Sequence, residues 1–232
     1  MLVLAIDTAT DEASVALRAG ERVVERHLAS RDFHSSTVLG AVDEVLSQAS
    51  VTIDSLEGIA VTVGPGSFTG LRVGIATAQG LALGAACPVV PVETLQALAL
   101  LPGLQGANGV VVALDAFRGE VFYARLDPDA TTGGRFPSLG PARLVGLQGF
   151  VEQLGTGETV VGNVARARCE AILVRRPDVR IWEGELFLAG AMTAWAVCRL
   201  QAGAGVQPGE LRADYGRGAH IGKPRSPHPA HA

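Results

Sequence analysis

Between Val61 and Gly74 the chain reads Val-Thr-Val-Gly-Pro-Gly-Ser-Phe-Thr-Gly-Leu-Arg-Val-Gly: an apolar strand, a glycine-rich turn and the start of a helix. No other stretch constrains the fold as tightly, because a strand feeding a helix through such a turn presents backbone N–H groups to an anion. The spacing nevertheless departs from both familiar phosphate loops. A Walker A loop needs Gly, four residues, then Gly-Lys-Ser/Thr; here Thr69 stands where the second glycine belongs, and no lysine follows. The dinucleotide fingerprint Gly-x-Gly-x-x-Gly is missed by one extra residue before Gly70. The loop has the form of a phosphate cradle without the side chain that grips a triphosphate.

With 232 residues the chain is long enough for one domain or two small ones, each with its own core. A formal net charge of −4 gives no global attraction to nucleic acid. Of 19 basic residues only Lys223 is a lysine, and the arginines are scattered. Cys87, Cys169 and Cys198 are isolated, which argues against a disulfide framework and a zinc ribbon. Asp7 interrupts the short apolar run at the N-terminus, so no signal peptide is expected. No run approaches the length of a membrane span. A cytoplasmic protein without membrane contact is the expectation.

Hydrophobic patterning divides the chain into two similar halves. Leu2–Ile6, Ser14–Arg18 and Arg22–Arg26 read as strands, with Ala19-Gly20-Glu21 as a hairpin turn. A helix over His34–Ala49 carries Val38, Val42 and Val45 at helical spacing; a strand Ile59–Val63, a helix Thr69–Gly84 and a strand Val89–Val92 follow. The second half repeats this order with strands Val110–Leu114, Glu120–Leu126 and Ala142–Val145, a helix Leu147–Leu154, a strand Thr159–Val161 and a helix Val164–Leu173. A final helix, Leu186–Leu200, closes the domain. The turn-rich stretch around Pro102 marks the boundary. Two ribonuclease-H-like or actin-like α/β lobes are therefore expected, at 1–101 and 102–217, with a flexible tail at 218–232.

Asp7-Thr8-Ala9-Thr10 lies where the first strand turns back. In actin-like ATPases that turn brings a carboxylate and hydroxyls near phosphate and metal, with a glycine for close approach; Ala9 stands in the glycine's place. For Asp7, Thr8 and Thr10 the bland reading, satisfied turn amides, outweighs a catalytic one. For Gly64, Gly66, Ser67, Thr69 and Gly70, anion contact through the amides of Ser67, Phe68 and Thr69 is balanced by a plain helix start capped by Ser67 or Thr69. His27, His34, His220, His228 and His231 form no H-x-x-x-H pair, and no G-x-S-x-G elbow occurs, so nucleophilic and metal chemistry are unsupported.

On the helix after the loop, Gly70, Gly74, Gly80 and Gly84 fall within one arc of about 120°. Glycine costs roughly 1 kcal/mol at each helix-interior position, so close packing of the backbone against another element is expected along that arc. Leu71, Ile75, Ala78 and Ala82 form a core face. Arg72, Ala76, Gln79 and Leu83 form a third seam, which fits either a helix from another chain or an ordinary solvent face.

Several blocks together resemble the bacterial TsaB (YeaZ) family. They are Ala5-Ile6-Asp7-Thr8-Ala9-Thr10, Val42–Leu46, Gly64–Gly74, Ala78-Gln79-Gly80-Leu81-Ala82 and Asp115-Ala116-Phe117-Arg118-Gly119-Glu120-Val121-Phe122. The resemblance is distinctive to about residue 126 and more diffuse to about 217. Ala213-Asp214-Tyr215-Gly216-Arg217 is similar to the family's Pro-x-Tyr-Leu-Arg ending, with Ala213 and Gly216 as departures. The resemblance implies two actin-like lobes, a degenerate nucleotide site, no bound cofactor and no catalysis by this subunit. It implies pairing with the metal-binding TsaD subunit, and work with the ATPase TsaE, to make N6-threonylcarbamoyladenosine on transfer RNA. The RNA would be reached indirectly, and a homodimer is possible when the chain is alone. The pairing would use helices of the first lobe, where Val38 and Val42 join Arg72, Ala76, Gln79 and Leu83 as candidates. The competing readings are an active actin-like ATPase or phosphotransferase and, with little support from the histidines, a metallopeptidase.

Overall fold

The computed structural model describes residues 1–28, 35–104, 109–116, 118–132 and 135–216. His34, Phe117 and the tail expected at 218–232 lie outside the described residues. The first sheet begins as an antiparallel run of Leu2–Asp7 (β1), Ala13–Ala19 (β2) and Arg22–Leu28 (β3). The β2–β3 hairpin turns through Gly20-Glu21, with Gly20 at φ +62°, the left-handed conformation that glycine adopts without strain at the first position of a two-residue turn. Gly58–Gly64 (β4) joins β1 in parallel and Val89–Glu93 (β5) joins β4, giving the order β3-β2-β1-β4-β5.

Strand alternation gives this sheet two buried faces. Leu4, Ile6, Leu17, Ile59 and Val61 point to the side covered by the helices Ser35–Ala49 (α1) and Phe68–Gly84 (α2). Val3, Ala5, Ala16 and Ala60 point to a second core that continues through the helix Thr94–Ala99 (α3) into the other half of the chain.

That half repeats the plan. Val110–Asp115 (β6) pairs antiparallel with Glu120–Thr132 (β7), whose other edge takes Phe136–Leu139 (β8) and Arg143–Gly146 (β9). After the helix Leu147–Glu152 (α4), Thr159–Val161 (β10) joins β6 in parallel. The helices Asn163–Ala167 (α5) and Cys169–Arg175 (α6) follow, and Arg180–Ile181 (β11) joins β10. Relative to their first strands, β7, β9, β10 and β11 hold the places of β2, β3, β4 and β5. The chain is a duplicated ribonuclease-H-like α/β protein with two actin-like lobes. Among the described residues, no helix is long and apolar enough to cross a membrane.

The structure adds to the patterning and revises it in places. Helix α3 was not expected, because six residues are too few to display a helical period. The helix expected over Val164–Leu173 is two helices, broken at Arg168, whose φ of −124° is not helical. The last helix begins at Ala189 (α7, Ala189–Gln201), and Leu186–Leu188 is a connection. Helix α7 returns to the first sheet, where it lies across β1, β2 and β4. There Leu200 presses on Gly58, where an added Cβ would stand 2.5 Å from its methyl carbon.

The glycine arc of α2 serves two purposes instead of the single one expected. A Cβ on Gly70 would stand 2.0 Å from the Thr8 carbonyl oxygen, and one on Gly74 2.3 Å from the Thr8 hydroxyl, so these two positions admit only glycine. Gly80 and Gly84 face open space. Gly80→Ala is therefore expected to raise stability by about 0.5–1 kcal/mol in urea unfolding. Gly70→Ala should lower it by more than about 3 kcal/mol, because the collision is with backbone. Equal effects from the two changes would refute the division of the arc.

Candidate functional site

The turn after β1 and the loop after β4 are pressed together. Thr8 Oγ1 donates to the Gly70 carbonyl at 2.7 Å, and the Ser67 amide donates to the Ala9 carbonyl at 2.8 Å. A Cβ on Gly66 would lie 2.4 Å from that same carbonyl oxygen. Ser67 caps α2, its hydroxyl accepting from the Gly70 amide at 3.2 Å. Thr10 is buried and its hydroxyl accepts from the Glu12 amide at 3.4 Å, while Thr69 is exposed. Gly64, at φ +123°, lies against the Asp214 carbonyl, and the Asp214 amide donates to Val63 at 2.7 Å. The turn residues and loop residues picked out in the sequence thus meet in one place. One expectation is corrected here: the Ser67 amide, a candidate anion donor, is already bonded to Ala9.

Asp7 is fully buried. Its Oδ1 accepts from the Ala9 amide at 3.0 Å and from Thr62 Oγ1 at 2.8 Å, while Oδ2 has no partner among the described residues. Burial pushes its pKa up to about 6 against the two lowering hydrogen bonds, and the nearby Glu25 charge adds to the rise. A carboxylate held at such a cost is the kind of group that marks a functional or once-functional site.

Between the lobes lies a cavity of about 430 Å³. Thr10, Glu12 and Ser67 line it from the first lobe; Asp115, Asn163 and Arg166 line it from the second. The second-lobe wall escaped the sequence reading, although the duplication signals it. Asp115 ends β6 as Asp7 ends β1, and Gly162 before α5 shares the φ of +123° of Gly64. Asn163 Oδ1 accepts from the Asp115 amide at 2.9 Å. Across the lining, Glu12 pairs with Arg166, and Asp115 lies 3.9 Å from Arg168 just behind it. A phosphate entering this cavity would meet arginines already paired with carboxylates, beside the further carboxylate of Asp11.

The outer side of α2 is different. With α1 it forms a groove of about 460 Å³ lined by Leu39, Arg72, Val73, Ala76, Gly80 and Leu81 among others. Leu83 is 70% exposed, Phe68 53% and Leu39 42%. The Arg72 guanidinium lies 4.0 Å over the Phe68 ring, its Nε donates to the Tyr215 hydroxyl at 3.4 Å, and Phe68 meets Tyr215 at 5.1 Å between centroids. Two groups of residues expected at a partner surface lie elsewhere. Val38 and Val42 are buried in the first-lobe core, because the α1 stripe they belong to faces the sheet. Gln79 is half-buried, its Nε2 donating to the carbonyls of Pro208 at 2.9 Å and Leu211 at 3.5 Å. Leu39, one position after Val38 and turned about 100° from it, is a groove residue that the expected partner contacts leave out.

The TsaD family model, tRNA N6-adenosine threonylcarbamoyltransferase, matches residues 25–135. A curated Escherichia coli protein, "tRNA threonylcarbamoyladenosine biosynthesis protein TsaB", is 38% identical over 168 residues, covering 68% of this chain and 72% of that one. The chain belongs to the TsaB family. A Haemophilus influenzae TsaB is 41% identical over 54% of each chain, so that match spans about half of the relative's length. Among solved structures, "YeaZ from Pseudomonas aeruginosa" superposes with a TM-score of 0.77 at 27% identity, covering 92% of this chain and 99% of that one. The fold therefore agrees with that of the YeaZ structure.

Because the folded-state pKa of Asp7 lies above its ordinary value, the folded chain binds this proton more tightly than the unfolded one. The stability it contributes is full below about pH 4 and is lost as pH rises through about 6. Asp7→Asn keeps an acceptor for Ala9 and Thr62 and removes the titration. Relative to this variant, the parent chain should lose up to about 3 kcal/mol of stability as the pH is raised from about 4 to about 7.5. Parallel pH profiles in urea unfolding would show that Asp7 does not titrate as its burial implies.

Proposed function

We propose that this chain is a non-catalytic scaffold subunit in the synthesis of N6-threonylcarbamoyladenosine on transfer RNA, acting in the cytoplasm. It docks the catalytic TsaD subunit on the α1–α2 face. The observation that carries this reading is the pairing of opposite properties on one helix. One side of α2 is locked to Thr8 by Gly70 and Gly74, while the other presents Arg72, Ala76 and Leu83 beside Leu39 with apolar surface uncovered. Exposed apolar patches of this kind serve as interaction sites, and a helix held rigidly from behind loses little entropy on docking. The match of the first half of the chain to the TsaD family model supports a partner built on the same plan, since related lobes readily present similar helices to one another. TsaE joins the assembly, transfer RNA is reached through it, and the same face pairs two copies of this chain when TsaD is absent.

The cavity between the lobes fits the same reading. Its phosphate-side loop has an amide bonded within the protein, and the arginines at its wall are already paired with carboxylates. Catalysis is therefore assigned to the partner.

Ala76→Glu places a charge in the centre of the groove without touching the core. It should leave circular dichroism and melting unchanged while weakening association with TsaD by at least about 2 kcal/mol, roughly thirtyfold. Leu71→Glu, which puts a carboxylate into the fully buried face, should unfold the first lobe instead. Sedimentation and pull-down with purified TsaD separate the two. Normal association by a folded Ala76→Glu would remove the α2 face from the interface.

A further inference from the structure

After α7 the segment 207–216 runs back along α2, against the direction of the helix. Gln79 holds the carbonyls of Pro208 and Leu211, and the Asp214 amide is bonded to Val63 at the end of β4. Tyr215 then reaches Phe68 and Arg72, in the first two turns of α2. Three contacts thereby fix one guanidinium. It lies 4.0 Å over the Phe68 ring, its Nε donates to the Tyr215 hydroxyl at 3.4 Å, and the two rings meet at 5.1 Å between centroids.

Stacking on an aromatic face occupies the flat side of a guanidinium and leaves its N–H edge open. With Nε engaged by Tyr215, the open edge is the pair of terminal nitrogens. Among the described residues no carboxylate pairs with them. Arg72 is exposed and stands at one end of the α1–α2 groove, and of the described lining residues it alone is charged. From Arg72 to Leu81 the groove follows α2 for about 14 Å, walled by Leu39, Val73, Ala76 and Leu81. An apolar trough with one ordered cation at its head is the complement of an amphipathic helix with a carboxylate beside its apolar stripe. The same walls favour a protein over an RNA, since no second cation in the lining follows a phosphate backbone.

We infer that Arg72 is the anchor of the docking face: its terminal nitrogens take a carboxylate side chain of the partner, carried on an amphipathic helix whose apolar stripe fills the groove beyond. The inference rests on the reading that α1–α2 is the docking face, and it names what the partner brings there. A carboxylate has the planar pair of oxygens that matches the guanidinium fork. Tyr215 is a positioning residue, acting on the partner only through Arg72. Because Phe68 and Tyr215 already order the guanidinium, little rotamer freedom is lost on docking.

Titration of purified TsaD against variants of the full chain, at several salt concentrations, tests the anchor. Arg72→Gln should keep the parent's circular dichroism and melting, weaken association about 10- to 100-fold and flatten its salt dependence. Arg72→Lys, which keeps the charge without the fork, should retain the salt dependence and recover only part of the affinity. Tyr215→Phe removes just the hydroxyl acceptor and should weaken association about threefold. The double variant of Arg72→Gln with Tyr215→Phe should bind no worse than Arg72→Gln alone, whereas additive losses would strike out the positioning role. Parent-like association by Arg72→Gln overturns the anchor, and Ala76→Glu in the same assay shows how far the failure reaches. If Ala76→Glu does not bind, the face stands and the anchor alone falls; if it binds as well, the docking face falls too. Loss of transfer RNA from the complex with unchanged TsaD affinity in Arg72→Gln would make Arg72 an RNA contact and equally overturn the carboxylate anchor.

Discussion

The structure depends on the contact between the β1–β2 turn and the first two turns of α2. At Gly70 and Gly74 no Cβ is allowed, and into that space fit the carbonyl and hydroxyl of Thr8. Two hydrogen bonds close the contact, Thr8 to Gly70, which is buried, and Ser67 to Ala9 at the cavity wall. The buried one is costly to break, because breaking it leaves a buried polar group unpaired. The contact has three consequences. It fixes the roll of α2, and so decides that Arg72, Ala76 and Leu83 face outward. It consumes an amide that an anion would otherwise use. And it seals Asp7 beneath the turn, where the carboxylate loses its water.

Much of the first lobe was legible in the sequence because its signals are local. The alternation in β1, β2 and β4, the Gly20 turn and the Ser67 cap each depend on a few adjacent residues. What escaped depends on distant ones. That Val38 and Val42 share a helical stripe can be read from spacing, but which stripe the sheet covers cannot. Hence the expected partner surface includes them although they are core, and it leaves out Leu39, which the next position on the helix turns into the groove. Gln79 sat on the right face by angle, yet its amide is held by a segment some 130 positions later in the chain. The return of α7 to the first sheet has no local signal at all. Its amphipathic pattern reports an apolar face without naming the sheet that receives it.

The site divides in the same way. The loop from Gly64 to Gly70 and the turn at Asp7 were both visible, as residue types that chemistry uses at strand ends. The opposite wall of the cavity, Asp115, Asn163 and Arg166, was visible only to someone who trusted the duplication and carried the first lobe's pattern across. The second half hides that pattern because its helices are short. Where α2 runs 17 residues, the equivalent stretch after β10 breaks at Arg168 into helices of 5 and 7.

This asymmetry between duplicated lobes bears on how the chain works. Gly64 and Gly162 make the same turn at φ +123°, each pressed on a carbonyl oxygen, of Asp214 and of Ala113. The ancestral geometry therefore persists in both lobes, while the helices that follow have diverged. A long helix backed rigidly by Thr8 presents a continuous outer face, and a helix broken after one turn cannot. The proposed docking groove lies between two long helices, α1 and α2, which the second lobe does not match. The second lobe contributes where short helices suffice, as with Arg166 reaching across the cleft to Glu12. The buried Asp7 faces neither the groove nor a partner surface. Its Oδ1 accepts from the Ala9 amide and the Thr62 hydroxyl, so this carboxylate braces the same turn that presses on α2.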